Sequence, residues 1–233
     1  DTVTIYNATK EKKYSGNLAV IVDDCGYDLA PVQKLSGLPI KMSFAILPFK
    51  ANSSAALEVI QNNGKEAMLH LPMEPMDASA ASESKMVTVA MTKDEVQAYT
   101  KEAVNSLPGI AGVNNHQGSK ATSNRSTMKA VLEVLKGEGL FFIDSNTYSK
   151  SIGDQAAEEL GVATARNQKF LDNSSDVDDI KKNIWAAAEM ADKNGVAVVI
   201  CHARPNTAKA WSEVYSALKD SGIKFVNASS IVH

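Results

Sequence analysis

Leu18-Ala19-Val20-Ile21-Val22-Asp23-Asp24-Cys25-Gly26-Tyr27 sets five apolar residues against two adjacent carboxylates and a glycine. An apolar run without polar alternation predicts a strand buried on both faces, as in a parallel sheet. Two acids at the mouth of such a strand cost too much to bury as mere packing. In α/β folds the space just past the carboxyl ends of strands is where chemistry is built. Asp also suits a helix N-cap, so the pair acquires a functional meaning only through what faces it.

Reading outward, the same unit recurs. Residues 18–22, 41–47, 66–69, 110–113, 140–143, 162–165, 196–200 and 223–226 read as strands. Helical patterns follow at 28–35, 54–62, 92–106, 126–136, 151–160, 175–194 and 207–221. Their punctuation has a mechanism. Thr92-Lys93-Asp94-Glu95 is a capping-box pattern, and Gly161 and Gly195 stand where helices stop. Residues 76–91, rich in Ser, Ala and Met, read as a long surface loop. Strand, polar end and helix alternate about seven times, which implies βαβ units in a mainly parallel sheet. Such a chain closes into a (β/α) barrel of about seven parallel strands or lies open as a doubly wound sheet. Periodicity alone does not separate the two. Residues 1–17 read as a polar lead-in with a short strand at Val3 to Tyr6, and residues 18–233 as the single α/β domain.

Composition narrows the function. Hydrophobic residues make up 44% and charged residues 22%, so a core of ordinary size can form. The net charge is −3 with no basic block, and aromatics are 6%, so neither a nucleic-acid footprint nor a base-stacking platform is present. No run is long enough for a transmembrane helix. The chain opens at Asp1 without a leader, as a processed or trimmed form does. Cys25 and Cys201 each end an apolar run. They read as two buried thiols, or as one disulfide if their strands are neighbours.

Three of the four histidines, His70, His116 and His202, fall just past predicted strands, as do Asp23, Asp24 and Asp144. One such histidine is most simply a satisfied, half-buried imidazole. Three histidines with three acids at matching topological positions point to a site. Imidazole and carboxylate without thiolate suit a divalent ion such as zinc that keeps an open position. A spare carboxylate and a spare imidazole would serve as base and acid. The chain has no G-x-S-x-G elbow and no phosphate-cradling glycine loop.

Six blocks in fixed order then carry a resemblance: V-D-D-C-G-Y, H-L-P-M-E-P, V-N-N-H-Q-G-S, F-F-I-D-S-N-T, R-N-Q-K-F-L-D-N and C-H-A-R-P. From about Leu18 to Val232 the chain resembles the divergent polysaccharide deacetylases, relatives of the NodB-type carbohydrate esterases. The resemblance implies a distorted barrel and metal-dependent hydrolysis of acetyl groups on an acetylated glycan, in a periplasmic or secreted setting. Carried across, Asp23 stands where that family has its base and Asp24 where it has a metal ligand. The second NodB-type motif is His-x-x-x-His, whereas here His70 is followed four residues later by Glu74. The implied ligands are therefore Asp24, His70 and His116, with Glu74 as the substitute for one of them. His202 matches the general acid. Asp144 would orient a histidine or contact substrate, and Arg166 stands for the arginine that positions the base. Substrate contacts are expected from Glu74, Asn115, Ser145 and Arg166. A protein that kept the fold and binds glycan without turnover is the alternative.

Overall fold

Strand β1 (Gly16–Cys25) is the hub of the sheet in the computed structural model, which describes residues 13–233. The strand expected at Val3 to Tyr6 lies outside the described residues. β1 pairs in parallel with β2 (Ser43–Ile46), β8 (Val196–His202) and β9 (Ile223–Val226). Beyond β2 follow β3 (Glu66–Met73), β4 (Gly112–Gln117), β5 (Phe141–Asp144) and β6 (Thr164–Arg166), and β7 (Lys169–Phe170) flanks β8. Seven helices connect them: α1 (Leu29–Ser36), α2 (Ser53–Asn62), α3 (Lys93–Asn105), α4 (Arg125–Glu138), α5 (Gly153–Leu160), α6 (Val177–Asn194) and α7 (Pro205–Asp220).

The strand order β6-β5-β4-β3-β2-β1-β8-β7 separates barrel from open sheet. β6 and β7 sit at opposite ends of that order, yet only Asn167 and Gln168 lie between them in the chain. The step from Arg166 to Lys169 spans at most about 11 Å, so the two edges must curl together. Asn167 N–H donates to Asp144 O of β5, next to the β6 edge, at 2.8 Å, and Gln168 N–H to Val198 O of β8, next to the β7 edge, at 2.9 Å. The result is the expected distorted barrel.

Period-two alternation divides the strand residues between two cores. Ala19, Ile21, Ala45, Met68, Ile143, Val198 and Ile200 fill the narrow interior, whereas Leu18, Val20, Val22, Phe44, Leu69, Phe142 and Val199 pack outward under the helices. Ala228, Ile231 and Val232 close the bottom, and His233 exchanges backbone hydrogen bonds with Thr164. Cys25 and Cys201 are buried free thiols in the outer core. The capping box at Thr92 and Glu95 forms as read.

Four strands run further than their apolar runs predict. β1, β3, β4 and β8 continue through Asp24, His70, His116 and His202, because polar side chains at the top of the interior line a cleft instead of meeting packed core. Strain gathers at this end. The four described non-glycine residues with positive φ, Asp24, Phe49, Gln117 and Asn146, all lie at or just past the upper ends of β1, β2, β4 and β5.

Candidate metal centre

Adjacent residues of a regular strand point to opposite faces, so Asp23 and Asp24 should not share a site. A bulge brings them together. The β1–β2 register steps from Val22 opposite Phe44 to Cys25 opposite Ile46, three residues against two. Asp24 absorbs the extra residue at φ 61°, a conformation Asp tolerates better than most. Asp23 continues the inward series of Ala19 and Ile21, Cys25 returns to the outer core, and Asp24 turns over the top of the interior. His70 lies two residues beyond the inward Met68, and His202 two beyond the inward Ile200. On β4, Asn114 pairs in register with His70, and His116 follows two residues on.

Three donor atoms converge. His70 Nε2 lies 3.0 Å from His116 Nδ1 and 3.4 Å from Asp24 Oδ1, and His116 Nδ1 lies 3.2 Å from Asp24 Oδ1. Asp24 Oδ1 is buried, and these two rings are what it faces. Three electron-rich atoms facing one point call for a positive charge between them. Ligands at about 2.0–2.1 Å around zinc have tetrahedral edges of about 3.3–3.4 Å, close to the triangle seen. The donor set of one carboxylate and two imidazoles therefore fits a divalent ion.

Asn114 fixes which nitrogen His70 offers. Its Nδ2 donates to Asp23 Oδ1 at 2.8 Å, so its Oδ1 faces His70 Nδ1 at 2.7 Å. A carboxylate takes only the amide's N–H, which leaves the amide oxygen to accept from Nδ1–H. His70 Nε2 is thereby left with its lone pair toward the triangle.

The two aspartates are driven apart. Burial pushes the Asp23 carboxyl above the usual range, and the nearby His70, His202 and Asn114 only partly offset it. Burial also works against Asp24, but hydrogen bonding and charge from His116 and His70 outweigh it and hold that carboxyl well below the usual range. Asp24 is thus a fixed anion and Asp23 a carboxylate that takes up a proton more readily, the separation expected of unlike roles.

Across the cleft, His202 pairs in register with Asp23. Its Nδ1 lies 2.8 Å from Asp172 Oδ1, its backbone N–H donates to Asp172 Oδ2 at 2.8 Å, and Thr207 donates to the same oxygen at 2.6 Å. Burial lowers the His202 pKa, and the Asp172 carboxylate more than reverses this, leaving the imidazole above its ordinary range. Phe170 stacks on the His202 ring at 6.1 Å. Asp172 and Asn114 are supporting residues that the sequence pattern does not single out. Asn114 has a signal, as a polar residue two before His116 in a strand-like run. Asp172 follows a two-residue strand that has no legible period.

The remaining expected residues are dispersed. Asn115 and Ser145 line the cleft. Asn115 is engaged with backbone, accepting from Ser145 N–H at 2.9 Å and donating to Gln117 O at 2.7 Å. The Ser145 hydroxyl is buried without a partner. Glu74 stands apart from the donor triangle, at 2.7 Å from Lys120 Nζ and accepting from Val89 N–H at 2.8 Å. Asp144 follows the inward Ile143 and so turns outward. It accepts from Ser151 Oγ at 2.6 Å and Asn146 N–H at 2.8 Å, away from the cleft. Arg166 is 3.8 Å from Asp144 and donates to Ser151 O at 3.0 Å, with no contact to Asp23. The cleft itself measures about 470 Å³, with Tyr27, Ser82, Phe170 and Arg204 as walls above the acids and imidazoles.

The sequence and fold have relatives. A family model described as divergent polysaccharide deacetylase matches residues 20–232. An uncharacterized protein of Escherichia coli K12, YibQ, is 33% identical over 220 residues, covering 94% of this chain and 68% of its own length. The crystal structure of an uncharacterized Agrobacterium tumefaciens protein superposes with a TM-score of 0.88 at 18% identity, covering 95% of this chain and 91% of that one. The catalytic domain of a peptidoglycan N-acetylglucosamine deacetylase from Eubacterium rectale superposes with a TM-score of 0.56 at 10% identity, covering 91% and 88%.

Proposed function

The chain belongs to the divergent polysaccharide deacetylases, and from that premise we propose that it is a metal-dependent hydrolase that removes acetyl groups, N-linked or O-linked, from an envelope or extracellular glycan. The observation that carries this is the convergence of Asp24 Oδ1, His70 Nε2 and His116 Nδ1 beside a second buried carboxylate, with a carboxylate-backed imidazole on the neighbouring strand. Those three atoms would hold a divalent ion, taken as zinc, which when bound supplies Lewis-acid chemistry toward a carbonyl and a water.

The chain's own groups supply the rest. Asp23, its carboxylate steadied by Asn114, accepts the proton of the attacking water. His202 donates a proton to the departing amine or alcohol. Asp172 holds His202 Nδ1–H, so the mobile proton resides on Nε2. The free Ser145 hydroxyl at the cleft is the substrate contact we assign first. Glu74, Asp144 and Arg166 we assign to support of the surrounding backbone. With an envelope glycan as substrate, the working place of the protein is outside the cytoplasm. Among the described residues no helix is long and apolar enough to cross a membrane.

The test is acetate release from N-acetylated chitooligosaccharide and from peptidoglycan by zinc-loaded protein. Turnover that disappears on chelation and returns with metal supports the reading. Stoichiometric metal without acetate release from any acetylated glycan would instead favour a glycan-binding protein.

A further inference from the structure

Residues 76–91, between β3 and α3, read as a plain surface loop in the sequence, but with Glu74 and Pro75 they double back over the cleft. Val87 bridges to Met73, Glu74 N–H donates to Val87 O at 2.8 Å, and Val87 N–H donates to Pro72 O at 2.9 Å. The ends of the intervening strap are thereby pinned together at the exit of β3. Its tip is held from two sides. Gln117, the residue after His116, donates to Ala80 O at 2.6 Å and accepts from Ser82 N–H at 3.4 Å. Glu83, whose side chain is 9% exposed, takes the Tyr27 hydroxyl and the Lys50 ammonium. Between these anchors Ser82 Oγ stands 2.9 Å from His116 Nε2.

We propose that Ser82 is the positioning residue of His116, supplied to the metal centre by a strap outside the barrel. The inference rests on the reading of Asp24, His70 and His116 as that centre. An imidazole that offers one nitrogen to an ion is oriented by the partner of the other. His70 has Asn114 of β4 for this purpose, within the barrel wall. His116 directs Nδ1 at the triangle, and the partner of its Nε2 is Ser82. A hydroxyl both donates and accepts. The same contact therefore serves the ring with a proton on Nδ1, when the triangle holds no ion, and with the proton on Nε2, when it does. A carboxylate could only accept from this ring, and an ammonium could only donate.

Zinc titration of the metal-free protein by calorimetry tests the assignment. Ser82 is exposed on its other side, so its truncation leaves the fold in place. Ser82→Ala is expected to weaken zinc binding about tenfold or more, and Ser82→Thr, which keeps the hydroxyl, to restore most of it. Ser79→Ala on the same strap, whose hydroxyl bonds only Asp77, is expected to bind as the parent does. Equal affinity in Ser82→Ala and the parent overturns the positioning role, as does equal loss in Ser82→Ala and Ser79→Ala. Absence of zinc uptake by the parent overturns the metal-centre reading instead. In that case the His116 ring nitrogens of the metal-free protein decide the positioning role by NMR. One sharp set of signals in the parent and a broadened set in Ser82→Ala support it, and identical spectra overturn it.

Discussion

Asp23 and Asp24 are neighbours in sequence with opposite acid–base character, and the difference comes from what each one faces. Asp24 looks at two imidazoles at 3.2–3.4 Å, whereas Asp23 sits in dry surroundings with the Asn114 amide at 2.8 Å and the His70 ring farther off at 3.5 Å. Asp24→Ala should abolish stoichiometric zinc uptake in a calorimetric titration. Asp23→Asn should retain zinc and lose turnover by about 10²–10⁴-fold, the usual worth of a general base. The same substitution has a stability consequence of opposite sign. An acid whose folded pKa is raised contributes stability below its unfolded pKa and loses it as pH rises through the folded value. In the metal-free protein at pH 7, Asp23→Asn should therefore raise the urea midpoint, and the gain should shrink as pH falls toward the ordinary carboxylate range. A gain that did not vary with pH would contradict the buried, raised carboxyl. His202 carries the complementary prediction. Asp172 holds its pKa up, so Asp172→Asn should move the alkaline limb of kcat/KM to lower pH, because the acid loses its proton sooner.

At the level of elements, what the sequence discloses is whatever has a local cause. Helix α3 is legible because Thr92 and Glu95 satisfy one another's backbone N–H groups whatever the rest of the chain does. Thr92→Ala should cost about 1 kcal/mol in denaturant unfolding and leave zinc affinity unchanged, since the Thr92 side chain bonds Glu95 and none of Asp24, His70 and His116. Strand β1 is legible from its unbroken apolar run. The bulge within it is not, because counting three residues against two requires knowing the partner strand. Strand β6 overlaps the strand read at 162–165, whereas β7, of two residues, is too short to show a period, and Asp172 beyond it stays hidden with it. Glu74 stands out by its spacing from His70. β3 however runs on to Met73, which carries Glu74 past the cleft wall to Lys120. Asp144 stands at the expected strand end but on the opposite face, one residue out of phase with the inward Ile143.

The whole molecule separates stability from chemistry along the barrel axis, as parallel barrels generally do. The upper end holds the strained backbone, the buried acids and the cleft. The lower end is closed by the last residues of the chain. Ala228 is fully buried and belongs to the interior cluster of Ala19, Ile21, Met68 and Val198, with Ile231 and Val232 packed against that cluster. Ala228 N–H donates to Ser43 Oγ at 2.9 Å, and His233 is hydrogen-bonded to Thr164 in both directions, at 3.1 and 3.3 Å. This segment therefore ties β2 to β6 across the barrel floor. Removing residues 228–233 should uncover the narrow interior core and the two ends of that tie. The apolar part alone amounts to about 2 kcal/mol, given that burying one aliphatic side chain is worth roughly 1.5–3 kcal/mol, that Ile231 and Val232 are only partly buried and that Ala228 adds a single methyl group. The truncated chain should melt several degrees lower, as about 2 kcal/mol implies for a domain of this size. Zinc affinity measured well below the melting temperature should stay within about threefold, because Asp24, His70 and His116 lie in the upper halves of β1, β3 and β4. A large loss of affinity in the folded, truncated protein would show that the two ends of the barrel are coupled, against the division drawn from the packing.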